Sequence, residues 1–396
     1  MPSHNKQSWI QNQMPVWIAA ASILQISETL IPHPIPGLRF GFANIISLVV
    51  LLQYGFKPAL TITLLRTIVS SFILGSFLSP GFILSFTSGF FNICSIGFLH
   101  RFSSSNAVLR FSPIGLGIIG AFMHNLVQIS LAFILLIQMP EIFYLVPWLS
   151  IGAVFIGGFS GWLTIQIIEE MNLNTVIQPI ANENENGFKM EIYKARDSLI
   201  HKTKSGYKIL ILLLITLFLV LKQDLIVYTF FFVFVCLIVW IAKLPFFKIF
   251  SIVKKMWAII LGAFVIPVLF NPGTVVLIQT FGVVLHKKAV ILGSIFAFRI
   301  VLLALFTSVL AQTTKTKDMI SGMNRLIKPL NYLGVDTEKI VNLIFESIKR
   351  LPESRDEIRS VIRHLLKGKK KNLTEMKNVV VYVCACILKA RENEME

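Results

Sequence analysis

Arg66, His124, Asn125 and Gln128 are the side chains best placed to do chemistry, because each stands inside a long apolar run. A charged or strongly polar group in such a run is costly and marks a place where something is bound or relayed. His124, Asn125 and Gln128 share one helical face by their spacing. Arg39 and Asn44 stand at the start of a neighbouring apolar run. Together these residue types bind rather than react. A guanidinium in low dielectric takes a planar anion, a carboxylate or a phosphate, through paired hydrogen bonds. The other reading of the same residues is a structural network, for example Glu28 with Arg39, plus helix-to-helix hydrogen bonds of modest value.

Catalytic constellations are missing from the sequence. Glu28 and Glu141 are the acids of the first 168 residues, too few for the carboxylate clusters that hold magnesium against a diphosphate. The glycine-rich phosphate loop of an ATPase is also absent: Lys367-Gly368-Lys369-Lys370-Lys371 has one glycine and no Ser or Thr after the lysine. Cys384 and Cys386 point away from each other on a helix, so no zinc site or disulfide framework follows. The sequence implies no cofactor, no metal and no enzyme. Active transport by this chain would need its energy from another polypeptide.

The elements that position these residues are membrane helices. Hydrophobic residues make up 55% of the 396 positions and charged ones 14%, too little charge to coat a soluble domain of this length. Apolar runs of about 18 residues recur, each able to cross the bilayer as a helix. About six fall in the first half by this length criterion, near 14–31, 41–53, 58–77, 81–99, 113–137 and 146–168. Pro- and Gly-rich turns such as Pro32-His33-Pro34-Ile35-Pro36-Gly37 and Ser79-Pro80-Gly81 separate them. The N-terminal stretch has no cleavage site after its first apolar run, so no removable signal is read there.

The formal net charge of +17 reflects Lys and Arg gathered on cytoplasmic loops. Nucleic acid is excluded as a partner, because the basic stretches lack the interleaved aromatics that stack bases. With the N-terminus inside, Lys57, Arg101 and Arg110 fall on inner loops, as the positive-inside rule asks. The polar stretch 169–206 follows, containing Ala181-Asn182-Glu183-Asn184-Glu185-Asn186-Gly187 and then a basic run. It reads as a cytoplasmic linker. About four more spans follow by the same criterion, near 208–221, 225–243, 256–270 and 289–312, with 271–288 as an outer loop or re-entrant piece. Arg299, in the last span, is expected to pack within its own half. Beyond 312 the spacing becomes amphipathic: helices are expected around Met319–Leu330, Ile340–Ile348 and Ile358–Leu366, the last two split at Pro352, with Ser354-Arg355-Asp356-Glu357 as a capping box. A final helix covers about 374–391. The organisation is thus a membrane module (1–168), a linker (169–206), a second membrane part (207–312) and a cytoplasmic helical domain (313–396).

The second half resembles the transmembrane T component of energy-coupling factor (ECF) transporters. Ala297-Phe298-Arg299, Thr313-Thr314-Lys315-Thr316-Lys317-Asp318, Leu326-Ile327-Lys328-Pro329-Leu330 and Gly334-Val335 carry the resemblance. It implies two coupling helices, each ending in an X-Arg-X motif whose arginine enters a groove of a nucleotide-binding subunit. Ala390-Arg391-Glu392 matches the second motif, with Glu where a small residue is usual. The first motif falls near Lys367-Gly368-Lys369, with Arg363 one turn earlier as the other candidate. An arginine at a helix C-terminus suits both the dipole and a carboxylate partner.

The first half resembles the Gx transporter family, also called heptaprenyl diphosphate synthase component I, which is similar to ECF substrate-binding S components. Pro36-Gly37-Leu38-Arg39-Phe40-Gly41-Phe42-Ala43-Asn44, Gly55-Phe56, Arg66, Ser85-Phe86, Gly120-Ala121, His124-Asn125, Gln128 and Pro147-Trp148 carry it. S components often dock through an Ala-x-x-x-Ala face on the first span; here Ala19-Ala20-Ala21-Ser22 is small but spaced otherwise.

The expectation is an all-α polytopic membrane protein: a six-helix S-component-like module, then a T-component-like module with a coupling domain. It would lie in a bacterial cell membrane with both termini cytoplasmic. It would import a small anionic micronutrient or precursor, with ECF ATPase subunits, membrane lipid and the ligand as partners. The alternative is a membrane accessory of heptaprenyl diphosphate synthesis without transport activity.

Overall fold

The computed structural model describes residues 3–30, 41–105, 111–172, 198–270, 276–280 and 283–366. The first half is built from α1 (Ser3–Leu30), α2 (Phe42–Tyr54), α3 (Phe56–Leu74), α4 (Pro80–Ser105), α5 (Pro113–Ala132) and α6 (Val146–Asn172). A π turn, Phe133–Ile137, and a 3₁₀ turn, Pro140–Leu145, join α5 to α6. Glycines break the apolar runs where the chain reverses: Gly41 (φ 72°) and Gly55 (φ 91°) bracket α2 in a region that favours glycine.

The helices pack in the ring α1–α3–α4–α5–α6–α2, with α2 closing back on α1. Contact between α5 and α6 depends on missing side chains. A Cβ on Gly157 would lie 2.5 Å from Gly117 O, and one on Gly161 would collide with the backbone of Pro113 and Ile114. Small residues four apart are how membrane helices approach closely.

After α7 (Leu199–Lys202) come α8 (Ser205–Leu221), α9 (Leu225–Ile241), the amphipathic α10 (Phe246–Lys255), α11 (Trp257–Phe270) and α12 (Lys287–Thr313). Helices α8 to α11 all pack on α12, whose run from Leu302 to Thr313 is buried. Large side chains such as Phe155, Leu221, Ile226 and Trp240 are exposed on the outer faces. That is the surface of a protein whose solvent is lipid. Among the described residues, five helical stretches are long and apolar enough to cross a bilayer: 56–74, 80–103, 113–137, 140–169 and 287–313. Shorter apolar helices, such as α8 and α9, add to them. The chain is an all-α polytopic membrane protein, with one small hairpin among the described residues.

That hairpin gives local structure to the stretch 271–288, where the sequence suggests an outer loop or re-entrant piece. β1 (Val276–Thr280) and β2 (Val283–His286) pair antiparallel between α11 and α12. Val-rich segments on either side of Phe281-Gly282 suit extended pairing better than an irregular loop.

The amphipathic segments form α13 (Thr316–Ile327), a 3₁₀ turn (Lys328–Leu333) and α14 (Thr337–Leu366). Pro352 does not split α14, as the sequence suggested, and Ser354 lies inside the helix. Proline removes one N–H and crowds one carbonyl, and here the helix continues on both sides. α13 buries Met319, Ile320 and Met323 and crosses the start of α8 at Gly322, where a Cβ would lie 2.7 Å from Ser205 Oγ. Lys208 Nζ reaches Thr313 O (3.0 Å) and Thr314 Oγ1 (3.4 Å), occupying an acceptor at the end of α12.

Candidate functional site

The ring of α1 to α6 encloses a cavity with a solvent-occupiable volume of about 70 Å³. Five of the six sequence-predicted binding residues line it: Asn44 from α2, Arg66 from α3, and His124, Asn125 and Gln128 from α5. The sixth, Arg39, lies outside the described residues. Helix periodicity brings positions 124, 125 and 128 to the inner face of α5.

Arg66 is 4% exposed, near the middle of α3. Its Nη2 donates to Asn44 Oδ1 at 2.5 Å, which ties α3 to α2. His124 Nε2 is 3.3 Å from Ser88 Oγ on α4, and Asn125 Nδ2 donates to Leu149 O on α6 at 3.0 Å. Thr63 Oγ1 donates to Ser47 Oγ at 2.8 Å. These bonds fix the polar wall between helices, as buried polar groups in a bilayer require.

Sequence reasoning did not assign several wall residues to the site, although it noted Glu28 as a partner for Arg39, and Ser85 in the family resemblance. Gln25 and Glu28 come from α1, and Ser85 and Asn92 from α4. Glu28 is as buried as Arg66 at 4% exposure. Its Oε1 accepts the Gly41 N–H at 2.7 Å, so the acid is anchored to the residue that precedes α2. Gln25 Oε1, Ser85 Oγ and Asn92 Oδ1 are buried with no hydrogen-bond partner. Asn92 Oδ1 lies against Gly120, where a Cβ would come within 2.6 Å of it. Serine and asparagine are common in membrane helices, so only the ring itself could pick these out.

The two halves meet at both ends of α8. Near its start, α14 packs along α1 and touches α3, with Ile344 and Leu351 buried in one core with Ala19, Ala20 and Ala21. Near its far end stands Arg299, fully buried on α12. Its Nε donates to Tyr228 Oη (2.9 Å), its Nη1 to Leu136 O (3.1 Å) and Leu135 O (3.4 Å), and its Nη2 to Gln138 Oε1 (3.3 Å). Arg299 therefore does not pack within its own half alone. The π turn after α5 leaves carbonyls free, and a cation at a helix C-terminus is favoured. Gln138 Nε2 also donates to Val220 O on α8 at 3.1 Å.

Of the residues expected to engage ATPase subunits, Arg363 lies on the last turn of α14, and its side chain is outside the described set. Lys367, Gly368, Ala390, Arg391 and Glu392 lie outside the described residues.

Comparison with known proteins divides the chain in two. Residues 17–167 match the family described as heptaprenyl diphosphate synthase component I, and residues 196–381 the family described as cobalt transport protein. Curated relatives are energy-coupling factor transporter transmembrane proteins EcfT. That of Clostridium kluyveri is 26% identical over 172 residues, 43% of this chain and 64% of that protein. Those of Acidaminococcus fermentans and Brevibacillus brevis are 25% and 23% identical over 171 residues, 43% of this chain and 63% and 64% of theirs. The chain spans just under two thirds of the length of these relatives. It joins a region similar to the first family to a region similar to the second family and to EcfT proteins.

Proposed function

We propose that this fusion is the membrane subunit of an ECF-type importer, with ligand capture and energy coupling in one polypeptide. The first half takes a small ligand bearing an anionic group at the cavity around Arg66, from outside the cell. The second half links that movement to separate ATPase subunits through Arg391 and one of Arg363 or Lys367. Both termini are cytoplasmic in this reading.

The observation that carries the reading is the packing of α14 along α1. α14 leads toward the residues expected to meet the ATPases, and α1 brings Gln25 and Glu28 to the cavity wall. A displacement of the coupling helix is thereby delivered to a helix that touches the ligand space. Packed helices transmit such shifts because their interfaces have discrete arrangements.

The test is a comparison of small-molecule accumulation in cells lacking this chain and in cells lacking their ECF ATPases. The reading predicts loss of uptake of the same compound in both. A role as accessory to isoprenoid diphosphate synthesis has the description of the first-half family in its favour. It predicts instead a lost synthase activity with every uptake rate unchanged.

A further inference from the structure

We propose that the cavity ligand is a small amphoteric molecule, whose anionic group meets Arg66 and whose cationic N–H donors meet Glu28 and the acceptors beside it. This rests on reading the cavity as a capture site and narrows what it captures.

Among the described lining residues the formal charges are one of each sign, Arg66 and Glu28, each 4% exposed. A buried charge is tolerated when it is paired and hydrogen-bonded. Arg66 offers donors to an anion. Glu28 is an acceptor already fixed at one oxygen by the Gly41 N–H, so what approaches it must donate. Gln25 Oε1 and Asn92 Oδ1 are buried acceptors with no donor from the protein, and the Ser85 hydroxyl also has no partner there. An unmade bond at such a group costs about 1–3 kcal/mol, which a donor-rich ligand recovers. A fully ionised phosphate or diphosphate group is all acceptor: it would satisfy Arg66, repel Glu28 and leave both amide oxygens unmet. A simple cation would satisfy Glu28 and leave Arg66 facing like charge. A zwitterion of amino-acid size offers an anionic group to Arg66, and donors to Glu28 and to the unpartnered oxygens of Gln25 and Asn92.

The experiment is thermal stabilisation of the purified full chain in mild detergent, with no ATPase present. Failure here is therefore separable from failure of the importer reading. The probes are millimolar panels of small molecules in three classes: zwitterionic amino acids and amino-acid-like vitamins; carboxylates, inorganic phosphate and isopentenyl diphosphate; and simple amines. Stabilising compounds are expected in the first panel. Their affinity should fall on the order of a hundredfold in both Glu28→Gln and Arg66→Met, since each removes one partner of a buried charge contact. Glu28→Gln keeps an oxygen for the Gly41 N–H, and Ser85→Ala, which buries no charge, should weaken binding several-fold. Stabilisation by the anion panel that survives Glu28→Gln overturns the proposal. So does stabilisation by amines that survives Arg66→Met, or a zwitterion panel with no stabilising member.

Discussion

Replacing Arg299 by Met tests how the two halves are held together. The side chain keeps its bulk and loses four hydrogen bonds, to Tyr228, Leu135, Leu136 and Gln138. Three of the four cross from the second half to the end of α5. Hydrogen bonds between membrane helices are worth about 0.6 kcal/mol on average and about 1.7 at most. The four together therefore stabilise by about 2–7 kcal/mol on that scale. The upper part of the range is favoured because the guanidinium is charged, fully buried and set at a helix C-terminus. The assay has two arms. Thermal unfolding of the full chain in detergent should fall clearly below wild type, with Arg299→Lys in between. A protease site inserted between Asn182 and Asn186, in the stretch read from sequence as a linker, is then cut in the purified protein. The wild-type halves should co-elute after cleavage, and the Arg299→Met halves should separate. Unchanged unfolding, with cut halves that still co-elute, would refute the reasoning that Arg299 clamps one half to the other.

Gly157→Leu should destabilise the first half by about 1–3 kcal/mol through overpacking of α5 against α6, read as a lower unfolding temperature. Gly322→Val should push α13 off the start of α8, because a Cβ there already meets Ser205 Oγ and Gly206 N at 2.7 and 2.9 Å. Uptake should fall while ligand binding in detergent persists; loss of both together would place the damage elsewhere. Arg391→Glu should weaken ATPase association and leave ligand binding intact, since reversing a charge at a paired site costs several kcal/mol. Wild-type uptake in that variant would make Arg391 an ordinary solvated charge.

The apolar helices were legible as long apolar runs, and even the short second one is present as α2 (Phe42–Tyr54). Arg66, His124, Asn125 and Gln128 were legible for the opposite reason: polar groups stand out in apolar helices. Their neighbours on the wall were not. Ser85 and Asn92 resemble the many small polar residues that bond their own helix, and only ring closure turns them inward. Glu28 was noticed and paired with Arg39; the anchor described by the structure is the Gly41 amide, a backbone group no side-chain pattern reveals. The spacing of Gly157 and Gly161 was readable as a helix-packing signal and was passed over. Arg299 could not be placed, because its acceptors on Leu135 and Leu136 are main-chain atoms about 160 positions away in sequence. Pro352 misled because a proline marks a helix end on local grounds, whereas packing along α1 governs α14.

The most direct test of the central claim is co-purification of the full chain with ECF ATPase subunits expressed beside it, in mild detergent. A stable complex of wild type, lost on Arg391→Glu while that variant still elutes as a folded protein, is the predicted result. A wild-type chain that purifies free of the ATPases, under conditions where an EcfT protein retains them, would contradict the account.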